Sequence, residues 1–289
     1  MDANAGLQGG VSSALGADEG DEVSSEGPRC GGTLTVLGCD GSYPGPGGAA
    51  SGYLVEADGV AVWMDAGPGT FAHLQLVTDP ASVDAVVLSH EHPDHWSDVD
   101  SYAVWLRQAA PGRPIRVYAP PGLRQRAYFG DDAVFDWHEV EPSHRVVVAA
   151  RAPAQGASRA ALVLSFCATD HGPPTLAVRI DAEPRGTVSG APARTLGYSA
   201  DTGPDWSPEE LGSGIGTLLC EATYTRDHEG EGRHLSGRQA GELAAAAGVG
   251  RLVVTHRRPS VPEGALAAEA DDAFGRPVHQ AAPGRVFEW

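Results

Sequence analysis

The sequence predicts an α/β fold in which two mixed β-sheets are sandwiched between helices. Three observations lead there. Short apolar runs rich in β-branched residues recur through both halves of the 289-residue chain. An early pair of these runs flanks Asp58-Gly59, a hairpin signal that makes the start of the domain antiparallel. Among the later runs lie segments with apolar residues at helical spacing, so strands and helices occur in both halves.

Residues 1–31 are Gly, Ser, Ala and acid with almost no large apolar side chains. Such a segment buries too little surface to offset its ordering entropy, so it is read as a disordered acidic extension ahead of one domain over 32–289. Thr33 to Gly38 is the first strand, and the Gly- and Pro-dense stretch from Cys39 to Ser51 is a loop. Gly52 to Ala57 and Val60 to Asp65 form the hairpin, and a short helix runs through Val77. Val83 to Leu88 has the length and β-content of a buried strand.

That strand delivers the most informative stretch of the chain, Ser89-His90-Glu91-His92-Pro93-Asp94-His95-Trp96. His90 and His92 are two apart and project from one face in extended backbone, whereas Asp94 and His95 follow the bend at Pro93. The spacing suits two metals side by side. Imidazole and carboxylate without thiolate suit zinc, manganese or iron in a reactive site. Loops leaving the C-terminal ends of strands are where α/β folds hold their chemistry.

Ser97 to Ala110 is expected as a helix with Val99, Tyr102, Leu106 and Ala109 on its buried face. Ile115 to Ala119 is a strand, and Gly122 to Glu141 a helix and then a loop over the site. Strand character returns at Val146 to Ala150, Ala161 to Ala168, Thr175 to Ile180, Thr195 to Ser199, Thr217 to Cys220 and Arg251 to Thr255. Ser236 to Gln239 has capping-box spacing before an alanine-rich helix, and Gly248 sits where a terminating glycine would. Three further ligand candidates stand at strand ends: His171, Asp201 and His256. His138 and His144 are rivals to His171, while His73, His228 and His279 read as surface groups.

The formal charge is −18, from 38 acids against 20 bases, all of them arginine. Such a chain has no electrostatic footprint for a long nucleic acid. A small anionic substrate is compatible with it, because metals would supply local positive charge. Cys30, Cys39, Cys167 and Cys220 lie far apart and fit neither a disulfide framework nor a structural zinc site. No run approaches a membrane span, and no Lys or Arg precedes Arg29 as a signal peptide would require, so the cytoplasm is the expected compartment.

The H-x-H-x-D-H motif and its setting resemble the metallo-β-lactamase superfamily from about Gly32 to the end of the chain. The resemblance implies the αββα sandwich and a dinuclear centre. His90, His92 and His171 would hold one divalent metal and Asp94, His95 and His256 the other, with Asp201 bridging and Asp65 supporting the loop. Such centres make a hydroxide available near neutral pH. Asp94 is counted among the catalytic groups as well.

S-x-D-T-G at Asp201, Cys220-Glu221-Ala222 and His234-Leu235-Ser236-Gly237 are similar to the ribonuclease Z-like branch. There, a histidine assists the leaving alkoxide and an acid orients its ring, roles that would fall to His234 and Glu221. The flexible tRNA-gripping arm of true ribonuclease Z has no counterpart between these motifs. The chain is similar instead to actinobacterial members that hydrolyse cyclic nucleotides. The implied partner is a small anionic substrate such as cyclic AMP, with no long nucleic acid and no membrane, and a homodimer left open. Arg257 and Arg258 could meet a substrate phosphate or base, or simply solvent. The alternatives are a ribonuclease Z-like RNA endonuclease and a lactone or thioester hydrolase.

Overall fold

The structure, a computed structural model, describes residues 31–112, 114–150, 161–182 and 194–289. The expected N-terminal extension lies, but for Gly31, outside the described residues.

The first sheet begins as sequence patterning suggests. Strand β1 (Thr33–Gly38) pairs antiparallel with β2 (Gly52–Ala57), which turns into β3 (Val60–Ala66). Asp58 and Gly59 carry φ of 54° and 82°, the two positive values that a type I′ hairpin turn requires. Parallel strands β4 (Ala85–Val87), β5 (Ile115–Ala119) and β6 (Phe135–Glu139) then extend the sheet.

The second sheet repeats the plan. Strands β7 (Arg145–Ala149), β8 (Ala161–Ala168), β9 (Leu176–Ala182) and β10 (Arg194–Tyr198) are antiparallel neighbours. Strands β11 (Thr217–Glu221), β12 (Arg251–Thr255) and β13 (His279–Gln280) continue it in parallel. The C-terminal strand β14 (Val286–Glu288) returns to the first sheet beside β1, so among the described residues each sheet has seven strands.

Apolar faces decide the layering. Leu34, Tyr53 and Val62 of the first sheet join Val178, Leu196 and Leu219 of the second in one buried cluster. On the outer side of the first sheet, Trp63, Phe71 and Tyr102 form an aromatic knot with α1 (Thr70–Val77) and α2 (Asp98–Ala109). On the outer side of the second, Leu218 and Leu252 meet Ala240 and Leu266 from α3 (Gly237–Ala246) and α4 (Ala265–Phe274). Each fully buried Leu or Val contributes about 1.5–3 kcal/mol by leaving water. A Cβ on Gly237 would lie 2.3 Å from the Leu266 carbonyl oxygen, so only glycine lets α3 and α4 approach this closely. The αββα sandwich is therefore the observed architecture, and among the described residues no helix is long and apolar enough to cross a membrane.

Three local expectations need correction. Residues 122–134 form turns, and no helix occurs there; Phe135–Glu139 is a strand. It lies at the sheet edge with Phe135 buried and Asp136 exposed, an alternation that the mixed aromatics and charges obscured. Ala109 is exposed, and Ala103 completes the buried face of α2 instead. The strand expected over Val83 to Leu88 pairs only at Ala85–Val87, although Val83 and Leu88 are fully buried. The capping box forms as expected, with the Ser236 side chain accepting from the Gln239 amide, and Gly248 follows at φ 65°.

Candidate metal centre

The parallel halves of both sheets end at the same rim, where β4, β10, β11 and β12 release the loops that bear the polar residues. The Leu176 amide donates to the Ser89 carbonyl and ties the two rims together. Among the described residues, three overlapping groups of ligand-type side chains form there. His90, His92, His171 and Asp201 make the first and Asp94, His95 and His256 the second, while a third joins His234 to Asp201 and His256; within each group the candidate donor atoms lie within 4.8 Å of one another.

Asp201 faces both of the first two groups. Its Oδ1 lies 3.2 Å from His95 Nε2 and 3.4 Å from His256 Nε2, and its Oδ2 lies 3.6 Å from His90 Nε2 and 3.9 Å from His171 Nε2. Asp94 Oδ2 closes the second group at 3.3 Å from His256 and 3.5 Å from His95. His92 Nδ1 and His171 Nε2 are 3.3 Å apart. The third histidine of the first group is thus His171. His138 instead stacks on Tyr118, and His144 sits exposed in the turn before β7. His73 and His279, half-buried, and His228, exposed, also stand outside all three groups.

The hydrogen-bond pattern calls for a cation. His95 donates from Nδ1 to Asp65 at 2.7 Å, and His256 donates from Nδ1 to Thr223 Oγ1 at 2.8 Å. Each ring then presents an Nε2 lone pair, and the two nitrogens lie 3.3 Å apart beside a buried carboxylate. His171 likewise gives its Nδ1 proton to the Arg233 carbonyl at 3.0 Å and turns Nε2 inward. His90 Nε2 and Asp201 Oδ1 are buried without a hydrogen-bond partner. Converging lone pairs and an unsatisfied carboxylate oxygen are costly unless a positive charge sits among them. Nitrogen and oxygen donors without sulfur suit a divalent ion such as zinc.

Charge balance points the same way. Burial opposes the charged form of Asp201, yet His256, His95 and His90 outweigh it and hold the carboxyl well below its usual range. Burial likewise opposes a proton on His95, but Asp201, Asp65 and Asp94 overcome it and raise the ring well above its usual value. The field that favours a proton there favours a metal cation in its place. At His90, burial and then His95 push the ring down, leaving it a neutral donor.

Supporting residues fix these orientations. Asp65 accepts from the Ser89 amide, the Ser89 hydroxyl and the Tyr198 hydroxyl besides His95. Asp65, Ala200 and His256 adopt φ of 52°, 51° and 58°, the left-handed region that costs non-glycine residues of order 1–3 kcal/mol. One is a candidate ligand, one precedes a candidate ligand and one orients a candidate ligand. A Cβ on Gly67 would lie 2.0 Å from the Asp94 carbonyl oxygen, so glycine is required where β3 leaves against the motif loop.

A second carboxylate–histidine pair stands against Asp201. His234 Nδ1 is 2.8 Å from Glu221 Oε1 and 3.9 Å from Asp201 Oδ2. Glu221, at the end of β11, also accepts from the Thr202 amide, the Leu235 amide and the Thr223 hydroxyl. Burial would lower His234, but Glu221 outweighs it and the ring is raised to about 9.

Thr223 and Tyr198 carried no signal in the sequence, and Thr202 appeared there only as a member of S-x-D-T-G. Their roles come from contacts across strands; only the period-two spacing of Glu221 and Thr223 hinted that both leave β11 on one side.

A family model described as a beta-lactamase superfamily domain matches residues 61–257. An uncharacterized protein of Mycobacterium tuberculosis is 35% identical over 271 residues, covering 88% of this chain and 91% of its own. A ribonuclease Z of Kineococcus radiotolerans is 29% identical over 278 residues, covering 82% and 87%. YhfI of Bacillus subtilis, named a probable metallo-hydrolase, is 26% identical over 258 residues, covering 88% and 99%. The crystal structure of that metallo-beta-lactamase fold protein matches with a TM-score of 0.75 at 23% identity, covering 90% of this chain and 100% of its own.

Proposed function

The chain belongs to the beta-lactamase superfamily, and we propose that it is a metal-dependent hydrolase that opens 3′,5′-cyclic nucleotides, cyclic AMP foremost, to 5′-monophosphates. One observation carries the reading: His234 and Glu221 form a hydrogen-bonded pair directly beside Asp201. A thiolate or an activated phenolate can leave unprotonated, whereas a departing sugar alkoxide needs a proton.

His90, His92 and His171 would hold one divalent cation and Asp94, His95 and His256 the other, with Asp201 shared. Bound there, the cations would lower the pKa of water toward neutrality and withdraw charge from phosphoryl oxygens. The protein's own residues supply the rest. Glu221 fixes the His234 tautomer by occupying Nδ1, which leaves Nε2 to deliver a proton. Water gives up one proton as its oxygen bonds to phosphorus, the bond from phosphorus to the 3′ oxygen breaks, that oxygen takes the His234 proton, and a proton from solvent restores His234 before the next turnover. The Thr202 and Leu235 amides hold Glu221 in place, so the acid keeps its aim between turnovers.

Charge supports a small substrate. A cyclic nucleotide is singly negative and needs no basic surface, while the −18 chain opposes a long polyanion. Endonucleolytic RNA processing is the second reading, favoured by the relative named ribonuclease Z. Assay of the zinc- or manganese-loaded enzyme on cyclic nucleotides, precursor tRNA, lactones and thioesters separates them. Cyclic-nucleotide turnover should dominate, and His234→Ala should lower its kcat about 10²–10⁴-fold with the metals retained. An ester with a p-nitrophenolate leaving group should suffer far less. Preference for a lactone or thioester, site-specific tRNA trailer removal, or equal slowing of both substrates by His234→Ala would overturn the proposal.

A further inference from the structure

Beside His234 lies Tyr224, whose ring meets the His234 imidazole edge-on at 5.9 Å. Arg258 lies over that same tyrosine, its guanidinium carbon 4.7 Å from the ring centre and Nη2 3.4 Å from the hydroxyl. Together they wall a cavity of about 330 Å³, within the size range of small-molecule sites. Ser260 and Pro262 line it too, and His228 and Glu231, bonded to each other at 2.8 Å, close the rim.

The two adjacent arginines differ. Arg257 is committed to structure: it donates to the Arg258 and Val261 carbonyls and faces Asp40 at 3.9 Å. Arg258 has, among the described residues, no carboxylate partner, in a chain with 38 acids against 20 bases. Arg238 shows the ordinary arrangement, bridging Glu229 and Glu242. A guanidinium held over an aromatic ring is weakly hydrated, and its own plane can stack on another planar group. A cyclic nucleotide has a single phosphate, which belongs beside Asp201. The group left for Arg258 is the base.

We infer that Arg258, seated on Tyr224, holds the nucleobase of the substrate through the guanidinium surface that lines this cavity. The inference rests on the cyclic-nucleotide reading above. Base-on-guanidinium stacking tolerates any base, because every base has a π-face. Arg258 therefore sets affinity for nucleosides as a class and takes no part in proton transfer.

The test compares metal-loaded wild type, Arg258→Ala and Arg258→Lys on cyclic AMP and on methyl p-nitrophenyl phosphate, a diester without a base. Arg258→Ala should raise KM for cyclic AMP about 5- to 100-fold, the range that loss of one stacked base brings. Its kcat should stay within about threefold, and its loss on the base-free diester should be at least about fivefold smaller. Arg258→Lys should not restore KM, since an ammonium has charge but no plane. If the alanine variant loses cooperative melting, Arg258→Gln takes its place. An unchanged KM, equal losses on both diesters, or rescue by lysine overturns the inference while leaving the activity assignment intact. Wild type that cleaves the base-free diester but no cyclic nucleotide overturns both.

Discussion

Replacing Thr223 by valine removes one hydroxyl and little volume. That hydroxyl accepts the Nδ1 proton of His256 at 2.8 Å and donates to Glu221 Oε2 at 2.8 Å, in a fully buried position. Without it, the His256 Nδ1 proton loses its acceptor and the ring its orientation, and Glu221 Oε2 keeps only the Leu235 amide. A buried polar group left unsatisfied costs about 1–3 kcal/mol. Removing the partner that orients a metal-bound histidine costs about 10–100-fold in metal affinity. The two figures agree, since each tenfold is about 1.4 kcal/mol. Thr223→Val should therefore weaken one of two bound metals by about 10–100-fold while leaving the other within about threefold. Competition against a graded series of chelators, read by elemental analysis, measures this directly. Thr223→Ser keeps the hydroxyl and should restore most of the affinity. Equal metal retention in wild type and Thr223→Val, or equal weakening of both metals, would refute the orienting role.

Asp201→Ala should lose most activity and at least one metal, because its two oxygens serve the two ligand groups separately; two metals retained on elemental analysis would sink that assignment. Stripping the metals with a chelator should lower Tm by several degrees, since ligand binding adds stability through mass action; a chelator-insensitive Tm would mean the ligands are held apart without the ions.

Much of the fold was legible because its strands obey simple rules. The turn at Asp58-Gly59 declares itself by composition, and the buried runs ending at His90, Asp201 and His256 mark three strand ends at one rim. The edge strand Phe135–Glu139 was not legible, because an edge exposes one face and accepts charge there. Ala109 was misplaced because alanine is small enough to sit on either face of a helix. In the site, the ligand candidates stood out by residue type and spacing, while Thr223 and Tyr198 touch partners 33 and 133 residues away. The Tyr224–Arg258 stack was half visible: Arg258 stood out, but the ring beneath it lies 34 residues earlier.

The metal-centre residues come from both ends of the folded domain. His95 and His256 meet tip to tip although 161 residues separate them, one following β4 in the first sheet and the other following β12 in the second. No fragment ending before β12 holds the whole ligand set, and neither sheet alone holds it either. The centre is thus a coincidence detector for folding: it closes only when both sheets have formed and docked in register. An emerging chain would carry the motif after β4 early yet stay without the complete candidate set until β12 had been made. Local fraying of either rim would open the centre before the rest of the core gave way, so catalytic competence and structural integrity would be lost in that order.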